Sequence, residues 1–368
     1  MPGDDRQHRV RGGTSLRSTA TLKIEQGAPA AAGRGAWQRF KAHKRGYYSL
    51  WIFAVLFVIG LMAPVLSNDE PLVIHFEGGL YFPLVESYSE TAFGGELETE
   101  ADYSDPVVRE LITAGDNWAI YPPNPHSFDS INYFVDHPNP APPSAENWLG
   151  TDDRGRDVLA RLLYGFVVSV LFALALTVVG TGIGILAGAL QGYLGGRFDL
   201  FFQRFIEVWG SMPELYLLII FASIFEPSIW LLLVLLSLFG WMGLSDYVRA
   251  EFLRGRNMDY VTAARAMGVS APAIMFRHLL PNAMVPVLTF LPFRISGAIL
   301  ALTSLDFLGL GVPPSTPSLG ELLSQGKENI EAWWLSVTTF VVLVGTLMLL
   351  IFIGEGLREA LDVRRRRQ

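Results

Sequence analysis

The sequence has 368 residues, of which 51% are hydrophobic and 17% charged, with a net charge of −7 and a mean hydropathy of +0.33. A soluble domain of this length seldom carries so little charge, so the balance points to a chain with several membrane spans. Cysteine is absent, which excludes disulfides, thiolate metal sites and a cysteine nucleophile.

Residues 1–46 mix Arg, Gly, Ser, Thr and Ala with few apolar anchors and read as a basic, unstructured tail. Arg34, Arg39, Lys41, Lys44 and Arg45 bring its charge close to the first apolar run, 47–66. About 20 apolar residues suffice to cross a bilayer, and behind so long a leader this run reads as an anchor rather than a cleaved signal. The segment 67–150 has Arg109 as its only Lys or Arg, against fifteen Asp and Glu. It is too long for a simple connection between spans. Trp118, Tyr121, Phe128, Tyr133 and Phe134 are aromatic enough for a small packed domain or lid, and the prolines of 138–143 read as a stiff spacer.

The second apolar run, 164–190, carries Gly180, Gly184 and Gly188, with Gly192 just beyond, each four apart and so on one helical face. Ser169, Ala173 and Thr177 extend the strip. Small residues let a second helix approach closely, and static packing within the chain is the expected use. A third run, 205–225, is interrupted by Glu207, Pro213 and Glu214; a short turn at Glu226-Pro227 separates it from a fourth, 229–244. A loop at 250–283 leads to runs at 284–305 and 334–354, and 357–368 forms a basic tail ending in Arg364 to Arg367. The expectation is an all-α polytopic membrane protein with six transmembrane helices and an insert between helices 1 and 2. Lys and Arg concentrate before the first span, in the loop (Arg249, Arg254, Arg256, Arg265, Arg277) and in the tail. Both termini and that loop are therefore expected on the cytoplasmic side and the acidic insert outside.

Ionisable residues within spans are expensive and mark function by default. Arg294 has two readings: it lines a polar translocation path together with Glu207 and Glu214, or it pairs with one of those carboxylates and holds helices together. Pro286 and Pro292 in the same run are expected to kink it. No catalytic set is present. The six histidines fall outside the predicted spans, and neither H-E-x-x-H nor G-x-S-x-G occurs. No metal cluster is expected. Gly326-Lys327 is followed by Glu328, with Glu321 where a P-loop needs glycine, so the energy source must be an ion gradient or another polypeptide.

The loop sequence DYVTAARAMGVSAPAIMFRHLLPN, 259–282, resolves into two short helices at an angle. Asp259 is placed to cap the first, whose small or apolar face is Tyr260, Ala263, Ala264 and Met267. Gly268 sits where a helix ends in a left-handed residue. Ser270 and Pro272 begin the second helix, Ile274, Met275 and His278 continue the face, and Pro281 marks the start of the fifth span. Small residues expose little area to lipid and suit close approach by a protein.

This stretch resembles the EAA loop of ATP-binding-cassette importer permeases, matching at Ala263, Ala264, Gly268, Leu280 and Pro281 and departing at Thr262, where that family has Glu. RHLLPN is similar to the dipeptide, oligopeptide and nickel branch. NWLGTDDRGRDVLARLLYG (147–165) and SLDFLGLGVPPSTPSLGELL (304–323) resemble the segments flanking the inner spans of its C-type subunits. The insert and the terminal IGEGLREALD narrow the likeness to one peptide-permease subtype over roughly 47–363. The resemblance implies a type I ABC importer permease fold, with an ABC permease domain over 151–356, and peptide import across a bacterial inner membrane by alternating access. It implies as partners a B-type permease subunit in a heterodimer, ABC ATPase subunits and a periplasmic peptide-binding protein. It implies no cofactor on this chain, ATP and Mg being bound by the partner ATPase. It makes Tyr260, Ala263, Ala264, Gly268, Arg277, His278, Leu280 and Pro281 the ATPase-coupling surface. Rival readings are nickel or another small solute as cargo, and an ion-coupled secondary transporter, which would leave the 257–281 surface without a purpose.

Overall fold

The computed structural model describes residues 29–133 and 137–361, with side chains described from residue 35 onward. The expectations placed on residues 1–28, on Phe134 and on Arg364 to Arg367 lie outside the described residues. The later part of the expected unstructured tail is instead helix α1, Pro29–Ala42, which buries Phe40 and meets α2, Lys44–Leu61, at His43, whose Nδ1 accepts the Gly46 N–H at 3.0 Å and caps α2. A single turn, α3 (Ala63–Leu66), then leads into the insert.

The insert is a packed domain. Strands β1 (Val73–Phe76), β2 (Gly79–Tyr81) and β3 (Trp118–Ile120) form an antiparallel sheet in the order β2-β1-β3, with Ile74 opposite both Tyr81 and Ala119. Glu77 and Gly78, both at positive φ, make the tight turn between β1 and β2. Asp105 caps α4 (Pro106–Thr113), which lays Val108 and Ile112 over a core of Ile74, Phe76, Phe93 and Tyr103. Of the aromatics singled out in the sequence that lie among the described residues, only Tyr121 borders this core. Trp118 stacks on His75, 5.5 Å between centroids, while Phe128 packs on Tyr164 at 4.8 Å and so ties the insert to the next helix.

That helix, α5, runs unbroken over Val158–Leu194, about 55 Å at 1.5 Å per residue. Asp157 begins it by accepting the Ala160 N–H at 2.8 Å. The third predicted run is not one helix: α6 (Gly196–Gly210) and α7 (Glu214–Ile224) are bent by 64° at the break between them. Pro213 explains the break, since it has no N–H to donate and disfavours helical geometry in the residue before it. The fourth run outlasts its predicted end. Helices α8 (Ile229–Ser237), capped by Ser228, and α9 (Met242–Gly255) together make an apolar span of Ile229–Gly255. Next come α10 (Asp259–Ala266), the one-turn α11 (Ala271–Ala273), a π turn over Ile274–Leu279, and α12 (Leu280–Phe307). The last three form one helix, Ala271–Phe307, running through Pro286 and Pro292 without interruption. His278, expected outside the spans, lies on this helix. Helix α13 (Leu319–Glu328) and α14 (Trp333–Leu361) complete the chain. Among the described residues, five helices are long and apolar enough to cross a membrane, or six if the bent pair is counted as one span.

The glycine strip of α5 packs on α9 of the same chain. A Cβ at Gly184 would lie 2.9 Å from the Trp241 carbonyl oxygen, one at Gly188 2.4 Å from that of Ser245, and one at Gly192 2.5 Å from the Phe252 Cβ. Gln191 donates to the Ser245 hydroxyl at 3.0 Å within this seam. Arg249 closes its end with a two-pronged pair to Asp199, at 2.5 and 2.7 Å.

Candidate functional site

Three places gather the side chains that carry chemistry. The first is the exposed turn at α10. Met258, not Asp259, occupies the N-cap position; Asp259 is the first helical residue, where its charge favours the helix N-terminus. Val261 and Ala264 turn inward against Ile274 and Leu279, so Ala264, 3% exposed, lies beneath the surface rather than on it. Tyr260, 44% exposed, Ala263, Met267, 76% exposed, and Gly268 form the outer face. Gly268 has φ +80° and ends α10 with paired backbone bonds, its own N–H to the Arg265 carbonyl at 3.0 Å and the Val269 N–H to that of Ala264 at 3.1 Å.

Arg277, His278, Leu280 and Pro281 do not sit on a separate second helix; they belong to the base of the long helix. Arg277 and Pro281 are exposed, His278 and Leu280 half-buried. The π turn lies just ahead of Pro281, where a regular helix would press the proline ring against the carbonyl one turn back, and the widened turn relieves that clash. Two arginines tie this region to the end of α5: Arg256, at the C-cap of α9, donates to the Gly192 and Tyr193 carbonyls at 3.4 Å, and Arg265 of α10 lies 5.3 Å over the Tyr193 ring.

The second place is a cavity of about 540 Å³ at the α6–α7 break, bounded also by α5, the α8–α9 junction and α12. Arg294 and Glu214 both line it, with Thr177, Met212 and Gly297 between and around them. Arg294 donates from Nη2 to the Gly240 carbonyl at 2.8 Å, and its Nε is buried without a partner. Neither carboxylate pairs with it. Glu207 lies outside the cavity, on the exposed side of α6, in an ion pair with Arg204. An apolar side pocket of about 170 Å³, with Trp209, Leu218, Phe221 and Phe239 in its wall, shares Met212 and Glu214 with the main cavity.

The third place joins two of the quoted motifs at the far end of α5. Arg161, with no exposed side-chain surface, reaches the Phe128 carbonyl at 3.0 Å, the Thr316 carbonyl at 3.4 Å, Asp152 at 3.6 Å and, in a closer pair, Glu321. Arg156 binds Asp152 at 2.6 Å and Glu321 at 3.2 Å. Burial alone would lower the Arg156 pKa; its hydrogen bond and charge contact with Asp152, then the charge of Glu321, outweigh this and hold it above the usual arginine value. Asp157, besides starting α5, accepts from Asn124 and Asn147 at 2.9 Å and so draws the insert onto the helix end. Asp306 accepts from Ser318, which in turn caps α13. The charge content of GTDDRGRD was visible in the sequence, but nothing local signals that Glu321 completes the cluster. Among the described residues, no group of three or more His, Asp or Glu is arranged to hold a metal ion.

Residues 180–367 match the family described as binding-protein-dependent transport system inner membrane component, and residues 32–77 match the N-terminal TM domain of oligopeptide transport permease C. The inner membrane ABC transporter permease protein YejE of Escherichia coli (strain K12) is 53% identical over 89% of this chain and 95% of its own. The peptidoglycan transport system permease protein YejE of Agrobacterium fabrum is 48% identical over 89% of this chain and 92% of its own. The oligopeptide transport system permease protein OppC of Haemophilus influenzae is 35% identical over 61% and 74%, respectively.

Proposed function

This chain belongs to the inner membrane components of binding-protein-dependent transport systems, multi-pass ABC permease subunits rather than enzymes, and on that premise we propose that it has the type I importer fold and moves peptides inward by alternating access. In this reading a B-type permease subunit completes the pathway, a binding protein delivers the peptide from outside, and ATPase subunits holding ATP and Mg dock on the α10 surface. ATP-driven closure then moves the long helices that end there, so that the cavity opens to one side of the membrane at a time. The observation carrying the peptide assignment is the likeness to the oligopeptide permease OppC, together with the match of residues 32–77 to the N-terminal TM domain of oligopeptide transport permease C. The domain plan that goes with it is a cytoplasmic tail over 1–46, a first span over 47–66, a periplasmic insert over 67–150, a permease domain over 151–356 with its coupling loop at 250–283, and a cytoplasmic tail over 357–368.

Two measurements test this. Reporters fused after Asp116 and after Arg256 should read periplasmic and cytoplasmic, respectively; the reverse pair overturns the orientation. In proteoliposomes, labelled peptide should accumulate only when ATPase, partner permease and binding protein are all supplied. Accumulation by this chain alone under an ion gradient would sink the ATPase-driven reading.

Coupling has its own test in Gly268→Val. A Cβ there would meet nothing within 4 Å, so the damage is conformational. Forcing a side chain into φ +80° costs roughly 1 kcal/mol, and more for a β-branched residue. The variant is expected to insert and assemble, yet to lose most ATP-dependent uptake because the turn that presents Met267 and Tyr260 changes shape. Wild-type uptake would remove the turn from the coupling account.

A further inference from the structure

We propose that the cavity at the α6–α7 break reads the two charged ends of a short peptide. Arg294 takes the terminal carboxylate, Glu214 takes the α-ammonium, and an apolar side chain of the peptide seats in the side pocket. This rests on the peptide-import reading and specifies where and how the pathway recognises its cargo.

Two other arginines, one at a helix end and one at a helix contact, find carboxylate partners within the chain. Arg161 is enclosed by two carbonyls and two carboxylates, and Arg249 grips both oxygens of Asp199. Those are structural arrangements, since the charge is answered inside the chain. Arg294 is not answered. One carbonyl accepts from it, its Nε, like that of Arg161, is buried without a hydrogen-bond partner, and, unlike Arg161, it has no carboxylate of the described chain paired with it. An arginine at membrane depth with unfilled donors is costly to keep unless something arrives to fill them. A planar guanidinium fork suits a carboxylate.

The surroundings keep that fork open. Gly297 and Ala301 follow Arg294 on the cavity-lining face of α12, and a Cβ at Gly297 would meet nothing within 4 Å. Gly180 on α5 lets the guanidinium pass, for a Cβ there would stand 2.9 Å from Nη2. The irregular backbone between α6 and α7 borders the same space, and Met212 within it lines the cavity. Non-helical backbone at membrane depth is tolerated where it is covered by protein or lines a cavity, and broken helices are a recurring way of building transport sites. Glu214 begins α7 at this break, open to the cavity and with no cation paired to it among the described residues. One unpaired cation and one unpaired anion on the wall of one cavity match a zwitterion with separated ends. The side pocket beside Glu214, walled by Trp209, Leu218 and Phe221, matches an apolar side chain near the amino end.

The test uses the assembled transporter without its binding protein, so that selection by that protein cannot intrude. Direct binding of a labelled tripeptide, Ala-Phe-Ala, is competed with the same tripeptide, with its C-terminal amide and with its N-acetyl form. On the wild-type complex, each blocked form should compete about tenfold or more weakly than the free peptide, as expected for loss of a charge-assisted contact. Equal competition by all three overturns the proposal without any variant being made. Arg294→Gln should then weaken the free peptide to the level of the amide while leaving the affinity for the amide within about twofold. Glu214→Gln should do the same with respect to the N-acetyl form. Losses equal for free and blocked peptides would overturn the assignment of ends. A wild-type transporter that imports no peptide in the presence of all its partners would instead refute the peptide-import reading itself.

Discussion

Replacing Arg161 with methionine is expected to destabilise the protein by about 3 kcal/mol, because it leaves two carboxylates, one of them fully buried, to share a single cation. The side chain has no exposed surface, and its removal strands Glu321 and Asp152 with Arg156 as the remaining partner. It also frees the Phe128 and Thr316 carbonyls, which link the insert and the α12–α13 connection to α5. The measurement is thermal unfolding of the purified protein in detergent, alongside the double variant Arg161→Met, Glu321→Met. A buried ion pair replaced by apolar groups of similar volume is often neutral, so the double variant should recover much of the loss. A single variant as stable as wild type, or a double variant worse than the sum of the two singles, would mean that the cluster is not the brace it is taken to be.

Gly188→Leu should be equally damaging for a different reason. Its Cβ alone would stand 2.4 Å from the Ser245 carbonyl oxygen, 2.8 Å from the Val248 Cβ and 2.9 Å from the Arg249 N. Two of these are backbone atoms that cannot rotate aside, so α5 and α9 must separate along the whole seam. Overpacking of this kind costs 1–3 kcal/mol in cores that can adjust, and roughly the upper end or beyond is expected here. Gly182 is the internal control: a Cβ there meets nothing within 4 Å, and Gly182→Leu should stay within about 0.5 kcal/mol of wild type. If both variants unfold alike in a denaturant titration, helix propensity rather than close approach governs the strip.

The spacing of those glycines was legible in the sequence because a helical face is a local property. So was the left-handed turn at Gly268, which needs only a short helix, a glycine and a following cap. Facing was harder. Tyr260, Ala263, Ala264 and Met267 satisfy helical spacing, yet burial of Val261 shifts the inner face and takes Ala264 with it. The separate second short helix expected before Pro281 fails for a similar reason: Pro281 looks like a boundary, and a π turn that accommodates a proline leaves no local mark. Pro213 was noticed as an interruption, but a proline can kink or break a helix, and only packing decides which. The insert's core was missed because its strands are three or four residues long and its interior is built on Phe76, Phe93 and Tyr103 rather than on the denser aromatic stretch downstream. Arg294 stood out as a charge within a span, while its open donors and its separation from Glu207 depend on how four helices meet.

The brace at the end of α5 also has a schedule. Arg161 and Glu321 are 160 positions apart in the chain, so at about 5–20 residues per second the carboxylate is synthesised roughly 10–30 s after the arginine it neutralises. During that interval Asp152 alone faces two arginines, and the carbonyls of Thr316 and Pro314 that complete their shells do not yet exist. The first half of the protein therefore enters the membrane with one end electrically unfinished, held by water and headgroups rather than by its own residues. Only the arrival of α13 lets that end dehydrate, which makes its closing one of the later events in the birth of the chain.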